Sequence, residues 1–365
     1  MGLDAVNLDG DKPQGTLLLI NYAMNSSDPI FAHQIEVVRR LSKSFHQIFV
    51  ITNNYSSSES LPENIKVFEV EWIPGRHLTS ARNFLRTYIS LTRNLGHFVI
   101  FSHMTEVQSA LIAVLSWWKK IPHYLWYAHK SKSPYLYISY PFLTGIITST
   151  PGSCPIRGKK VSPIGQGIDE SIFHRETLPI YNFKRKLRGI SVGRIDPSKK
   201  IEEIISVTVQ GPHESNFEKL DLLGEASIGN SNYYRELQAK YSSLIADRLL
   251  TFHGKVIRRN LPQFLAMADI FVHAFRGSLD KTLVEATMMG VPVITANPEY
   301  INEFGSWSRS YKVDFDLEIE MSAFLGMNES QIQDEVINRQ KYALEKHSLS
   351  GWTSRLLTII DSSNG

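Results

Sequence analysis

The stretch that most limits what this chain can become is residues 261–295, LPQFLAMADIFVHAFRGSLDKTLVEATMMGVPVIT. Its Ile270-Phe271-Val272 run is short, apolar and β-branched, the pattern of a strand buried on both faces of a parallel sheet. A short helix leads into it, ending at Met267-Ala268-Asp269. A polar loop follows, Arg276-Gly277-Ser278-Leu279-Asp280-Lys281, and from Thr282 the spacing of Leu283, Val284, Ala286, Thr287 and Met288 predicts a second helix. Gly290 stops that helix, Pro292 comes two positions later, and Val293-Ile294-Thr295 begins another buried strand. Open α/β sheets bind ligands at such a loop, between the carboxyl end of a strand and a helix amino terminus.

Glu285 is expected to point into that mouth from the first turn of the helix. A carboxylate there can accept hydrogen bonds from two vicinal hydroxyls, as a ribose offers. The loop N–H groups, Ser278 and Lys281 can hold phosphate at the same mouth. The plainer alternative is that Glu285 only complements the dipole of its own helix.

The rest of the chain alternates in the same way. Residues 16–22 read as a buried strand, 29–45 as an amphipathic helix, and 48–52 and 67–70 as further strands, the order of a doubly wound parallel sheet. Residues 77–95 read as a helix, 98–101 as a strand ending at His103, 107–118 as a helix, and 124–130 as a strand delivering His129. Residues 145–149 and 160–164 are short strands. Beyond a charged hinge at 178–188, residues 189–194 form a strand ending in Arg194. Asp196-Pro197-Ser198-Lys199-Lys200 then opens a helix. A short strand at 250–254 follows, and a helical tail from 330 to 360 breaks around 347–352. A length of 365 residues suits two domains. We expect them at 1–183 and 184–345, with a last helix within 346–365.

Charge and composition narrow the function classes. The chain is 42% hydrophobic and 21% charged, ordinary for a soluble protein with real cores. A net charge of +3 suits an anionic ligand or a membrane surface and falls far short of a nucleic-acid binder. The single cysteine, Cys154, allows no internal disulfide and no cysteine-based zinc cluster. Residues 1–15 lack a basic-then-apolar signal, and Val6 stands where a myristoylation motif needs Ser or Thr. The longest apolar runs, such as 110–115, are too short to span a bilayer, so a cytoplasmic protein is expected. Trp117-Trp118-Lys119-Lys120 has the composition of a membrane interface. The favoured reading there is a last helical turn whose lysines match the dipole while the tryptophans pack inward. Residues 24–28 lack G-x-G-x-x-G, which leaves a Rossmann oxidoreductase without its fingerprint.

Glu285, Ala286, Gly290, Pro292 and Val293 resemble the carboxy-terminal half of the GT-B nucleotide-sugar glycosyltransferases of family 4. Their motif is two glutamates separated by seven residues, then a small-residue helix and G-x-P-V. The first glutamate's position is occupied by Gly277. Arg194 and Lys199 are similar to the family's G-R-x-x-x-x-K-G signature, with Lys200 in place of the glycine. Gly165-Gln166-Gly167-Ile168-Asp169 with Phe173 resembles its N-G-I-D-x-x-x-F turn, and Asp221 to Glu225 its next strand and G-[DE] turn. The family also places the turn after residues 250–254 beside the nucleotide base.

The resemblance implies an α/β protein of GT-B fold, two Rossmann-like doubly wound parallel-sheet domains facing a central cleft, with 346–365 as a helix returning to the first. It implies a retaining transferase moving a sugar from a nucleoside diphosphate to a glycan or lipid-linked acceptor, as in cell-surface polysaccharide biosynthesis. Peripheral contact with the inner face of the membrane would fit such an acceptor. Glu285 would hold the ribose, and Arg194 and Lys199 the departing diphosphate. His129 and the loop Gly277, Ser278, Leu279, Asp280, Lys281 and Thr282 would orient the sugar, with Lys130 as an acceptor contact. On its residues alone, His129 reads first as a hydrogen-bonded core histidine. No acidic motif has metal-ligand spacing, so neither metal nor cofactor is expected beside the nucleotide sugar. With Gly277, either Ser278, Asp280 or Lys281 takes over sugar orientation, or the protein is an impaired nucleotide- or partner-binding one. A GT-B nucleotide-sugar epimerase is a third reading.

Overall fold

The computed structural model describes residues 14–362, apart from 29, 180, 182–184, 228 and 310–315. The expectations about the first thirteen residues, and part of the 178–188 hinge, lie outside the described residues.

Two parallel sheets carry the fold. In the first, β1 (Gln14–Met24) lies centrally because Leu17, Leu18, Leu19 and Ile20 are buried on both faces. Helix α1 (His33–Leu41) leads to β2 (Phe45–Tyr55), and β3 (Ile65–Glu69) forms one edge. After α2 (His77–Thr92) the chain crosses to the other side of β1 with β4 (Phe98–His103) and α3 (Glu106–Trp118). It continues outward through β5 (His123–Trp126), α4 (Pro134–Ser139), β6 (Gly145–Thr148) and β7 (Val161–Pro163). The sheet order is β3-β2-β1-β4-β5-β6-β7, all parallel.

The second sheet has the order β10-β9-β8-β11-β12. Its elements run β8 (Leu187–Val192), α5 (Ile201–Ser206), β9 (Phe217–Leu223), α6 (Ser231–Lys240), α7 (Ser242–Ala246) and β10 (Leu250–Gly254). Helix α8 (Leu261–Met267), β11 (Ile270–His273), α9 (Lys281–Met288), β12 (Val293–Thr295) and α10 (Pro298–Phe304) complete it. The direction of winding reverses between β1 and β4 in one sheet and between β8 and β11 in the other, which opens a crevice at those strand ends.

Three helices end the chain: α11 (Leu317–Leu325), α12 (Glu329–His347) and α13 (Leu349–Asp361). Ser348 alone separates the last two, its side chain capping the Gly351 N–H. There the chain crosses back beside its own earlier crossing: Ile168 N–H donates to His347 O at 2.8 Å and Leu349 N–H to Ile168 O at 2.7 Å. Leu349, Trp352, Leu356 and Ile360 then enter the core of the first sheet, with Trp352 edge-on to Trp126 at 5.4 Å.

Several expectations need correction. The helix expected over 29–45 is confined to α1, because Asp28 Oδ1 accepts the Ile30 and Phe31 N–H groups in a turn ahead of it and β2 already begins at Phe45. The strand expected over 124–130 stops at Trp126, leaving His129 on a loop. Helix α9 begins at Lys281 rather than Thr282, so Glu285 lies in its second turn. The tryptophans do not pack inward: Trp117 is 59% exposed and Trp118 73%. The buried side of α3 is Gln108, Ser109, Ile112, Ala113 and Ser116, held against His123 by the Ser109 and Ser116 hydroxyls. That register turns positions 117 and 118 outward. Among the described residues no helix is long and apolar enough to cross a membrane.

Candidate functional site

The centre of the crevice is the amino terminus of α9. Asp280 is its N-cap residue in extended backbone, and its carboxylate turns to Lys199 Nζ at 2.5 Å and His273 Nε2 at 3.5 Å. Lys199 ends the 3₁₀ turn Pro197–Lys199 that follows β8, and His273 is the last residue of β11. The reversal of winding between those two strands is therefore what brings cation, anion and imidazole together. The Lys199 ammonium also lies 4.2 Å from the centre of the Phe275 ring. Burial pushes the Asp280 carboxyl up, but Lys199 and His273 overcome it and hold it well below the usual range. Arg194 stands beside this group with its side chain 55% exposed, and its Nε is 3.9 Å from Asp196 Oδ2. It lines a small pocket with Gly193, Lys199 and His273.

His129 reaches the same place from the first domain. Its ring is solvent-accessible in the cleft and edge-on to Tyr127 at 5.7 Å. Desolvation lowers its pKa, Asp280 opposes that, and Arg194 adds to it, so the ring faces the cluster of the second domain.

Glu285 sits one helical stage deeper, with a side chain 1% exposed. It is paired with Arg258 Nη1, and the same guanidinium reaches Glu36 of α1, Nε to Oε1 at 3.2 Å. Its plane lies over Phe173, 4.6 Å from the ring centre. Glu285 thus answers a buried cation and not the dipole of its own helix. Lys281 Nζ donates to Gln166 O at 3.1 Å. Burial and then Arg258 lower its pKa to about 8, against the pull of Glu285, Glu36 and Asp280. Facing it are His33 and His103 of the first domain, rings 5.8 Å apart, both held neutral by burial first and Lys281 second. His33 Nε2 and His103 Nδ1 have no hydrogen-bond partner among the described residues.

The loop 277–282 is fastened on both sides. Asn297 Nδ2 donates to the carbonyls of Phe275 and Ser278 at 2.8 and 3.1 Å. Leu279 N–H donates to Ser153 Oγ of the first domain at 3.1 Å, and Leu279 O accepts from Gln166 Nε2. Gly277 is dictated by its neighbour, since a Cβ there would lie 2.0 Å from the Phe275 ring. The Thr282 hydroxyl is buried without a partner among the described residues. Lys130 is paired with Glu299 of α10 at 2.9 Å, and Thr150 donates to the same carboxylate at 2.8 Å.

Lys199, Asp280, Lys281 and Glu285 therefore share one helix terminus, with Arg194 and His129 at its rim. Asp280 and Glu285 are five residues apart, about 7.5 Å along a helix axis. Sequence reasoning missed Arg258, Glu36, His33, His273 and Glu299. For Arg258 a signal existed, because the turn after β10 had been placed beside the nucleotide base. Among the described residues no cluster of three or more His, Cys, Asp or Glu could hold a metal ion.

Residues 188–305 match the family model described as Glycosyl transferases group 1. Among solved structures, the chain is similar to Anabaena HepE in complex with UDP (TM-score 0.72, 16% identity, 95% of this chain and 100% of that one). HepE has also been solved with UDP-glucose. Sucrose-phosphate synthase from Thermosynechococcus elongatus (TM-score 0.71, 12% identity, 96% and 99%) is a second likeness. The α,α-trehalose 6-phosphate synthase of Burkholderia multivorans (0.69, 12%, 96% and 99%) is a third. No curated protein gives a significant sequence match. At these identities the likeness establishes the fold, two Rossmann-like parallel-sheet domains of GT-B type, while the family match concerns the second domain.

Proposed function

We propose that the protein is a retaining, metal-independent glycosyltransferase that moves a sugar from UDP to a glycan or lipid-linked acceptor. The observation that carries the reading is the convergence of Lys199, Asp280 and Glu285 on the start of α9, inside the segment that matches the group 1 transferases. UDP is the nucleotide of choice because HepE, of the same fold, is bound to UDP and UDP-glucose. Residues 1–183 would present the acceptor, residues 184–345 the donor, and 346–365 would buttress the first domain. On this reading the enzyme works in the cytoplasm or at the inner face of a membrane, in the assembly of surface polysaccharide.

In this mechanism the bond from the anomeric carbon to the diphosphate oxygen breaks while the acceptor hydroxyl oxygen bonds on the same face and passes its proton to the departing phosphate oxygen. The leaving diphosphate gathers negative charge where Arg194 and Lys199 converge, and fixed cations there do work that a metal does elsewhere. An ammonium has three donors, so Lys199 can keep Asp280 and still turn toward phosphate. Glu285 has two carboxylate oxygens; Arg258 engages Oε1, and the ribose hydroxyls are assigned to the other. His129 and the loop 277–282 would orient the sugar, with Asp280 in place of the glutamate absent at 277.

A second reading, an impaired nucleotide-binding protein, draws on the Phe275 ring filling the space a side chain at 277 would need. Calorimetry with UDP followed by a donor screen separates the two. Transfer or donor hydrolysis supports the enzyme, UDP binding without turnover over a broad acceptor panel supports the second, and no UDP binding defeats both. Donor incubated alone and examined by NMR for an epimer tests the epimerase reading.

A further inference from the structure

The cation distribution along the chain is uneven in a way the transfer chemistry does not use. From Val107 to Ile168 there is no aspartate or glutamate but seven lysines and arginines. Outside that stretch the remaining 32 lysines and arginines are outnumbered by 36 acids, so the stretch reverses the sign of the rest of the molecule. Among the described residues, the same stretch holds the largest run of exposed apolar side chains. Leu111, Val114, Trp117 and Trp118 form one outward stripe on α3, 37%, 54%, 59% and 73% exposed. Helix α4 packs beside α3 and adds Tyr135 and Ile138 at 46% and 58%. Trp117 also meets Phe142, on the 3₁₀ turn Tyr140–Phe142 that follows α4, edge-on at 5.7 Å, so both helices and that turn share one apolar face.

Cations border this face. Lys119 and Lys120 follow Trp118 directly and are exposed, as are Lys132, Arg157 and Lys159. Lys160 Nζ stands 5.8 Å from the Tyr140 ring and donates to the Pro141 and Leu143 carbonyls, so it ties the basic edge to α4. Paired tryptophans with flanking lysines suit the boundary between lipid headgroups and acyl chains, where an amphipathic ring keeps one side apolar and the other wet. A protein partner with an apolar face would not call for six bordering cations from a stretch without one acid, and a nucleic acid would not call for an unbroken apolar stripe.

We propose that the α3–α4 face docks the protein on an anionic bilayer surface, the tryptophans entering the headgroup boundary and the basic border meeting anionic headgroups. Lys130 apart, which pairs with Glu299 in the crevice, the proposal stands on residues that take no part in that site, and it survives failure of the transferase reading. A lipid-linked acceptor would then be met by a protein already lying on its membrane.

The test is co-sedimentation of the full chain with vesicles of phosphatidylcholine alone and with phosphatidylglycerol added. Binding to the anionic vesicles, weakened by salt, is expected. Trp117→Ala with Trp118→Ala should cut it at least tenfold. Each of Lys119→Ala and Lys120→Ala should cut it roughly fivefold. Trp118→Ala alone, at the most exposed of these positions, repeats the test should the double variant melt early. Failure to bind anionic vesicles at low salt, equal binding to neutral vesicles, or tryptophan variants that bind like the parent would overturn the proposal. So would light scattering that shows a dimer dispersed by Trp118→Ala, since a second copy would then be the occupant.

Discussion

Arg258 and Glu36 meet across the cleft, Nε to Oε1 at 3.2 Å, while the same guanidinium holds Glu285 on its own side. One cation from the turn after β10 thus joins the two domains through the carboxylate we assign to the ribose. Removing one partner of a buried pair costs about 3–5 kcal/mol, because the charge left behind is unanswered. Arg258→Ala should lose that much in urea unfolding at neutral pH. Glu36 already has a raised pKa, from burial first and with Arg258 opposing. Without Arg258 it rises further above its unfolded value, so the variant gains stability as the pH falls and loses it again as the pH rises. A deficit that is flat from pH 5 to 8 would contradict this account.

Arg194 and Lys199 are predicted to act on charge that develops as the diphosphate departs. Losing one such donor typically costs about 10²–10³ in rate. Arg194→Ala and Lys199→Ala should each lose turnover on that order. The melting temperature of Arg194→Ala should stay near that of the parent, since its side chain is 55% exposed. Near-parental rates in both variants would sink the assignment.

Gly277 and Phe275 should behave as a unit. Gly277→Glu alone drives a side chain into the Phe275 ring, and overpacking of this kind costs about 1–3 kcal/mol. Phe275→Ala in the same chain makes room and should recover stability, giving a favourable coupling in a double-mutant cycle of melting temperatures. Additive losses would show that the ring is not what excludes a side chain at 277.

Lys281 titrates near pH 8 because burial and Arg258 disfavour its charge. The lysine carries its proton below that pH and loses it above, so UDP should bind more weakly as the pH rises through about 8, to the extent that phosphate has not raised the value. Lys281→Gln should bind more weakly at pH 7 and show no step there. Calorimetric titrations at pH 6.5, 7.5 and 8.5 on both proteins decide it.

Much of the frame was legible because buried parallel strands are short β-branched runs, and residues 270–272 and 293–295 could be read as such. Arg194, Lys199 and Glu285 announced themselves by standing beside strand ends and helix starts. Arg258 and Glu36 did not, since their meeting depends on how two domains approach and no local spacing encodes that. His33 and His103 were hidden for the same reason: each looks like an ordinary strand or helix terminus until Lys281 arrives from 178 or more residues away. The outward tryptophans were misread because α3 is apolar all round, and its inner face is marked by serines instead of by its largest side chains.

The return of α13 has a consequence for biosynthesis. Trp352, Leu356 and Ile360 complete the core beneath the first sheet, although they are translated after the whole second sheet. Domains generally fold in order as they leave the ribosome. Here the first domain must stay incomplete through translation of the whole second one, and it closes only when α13 emerges. Nascent chains stalled before Leu349 should therefore remain open to protease in the first sheet, and chains in which α13 has cleared the ribosome should be protected.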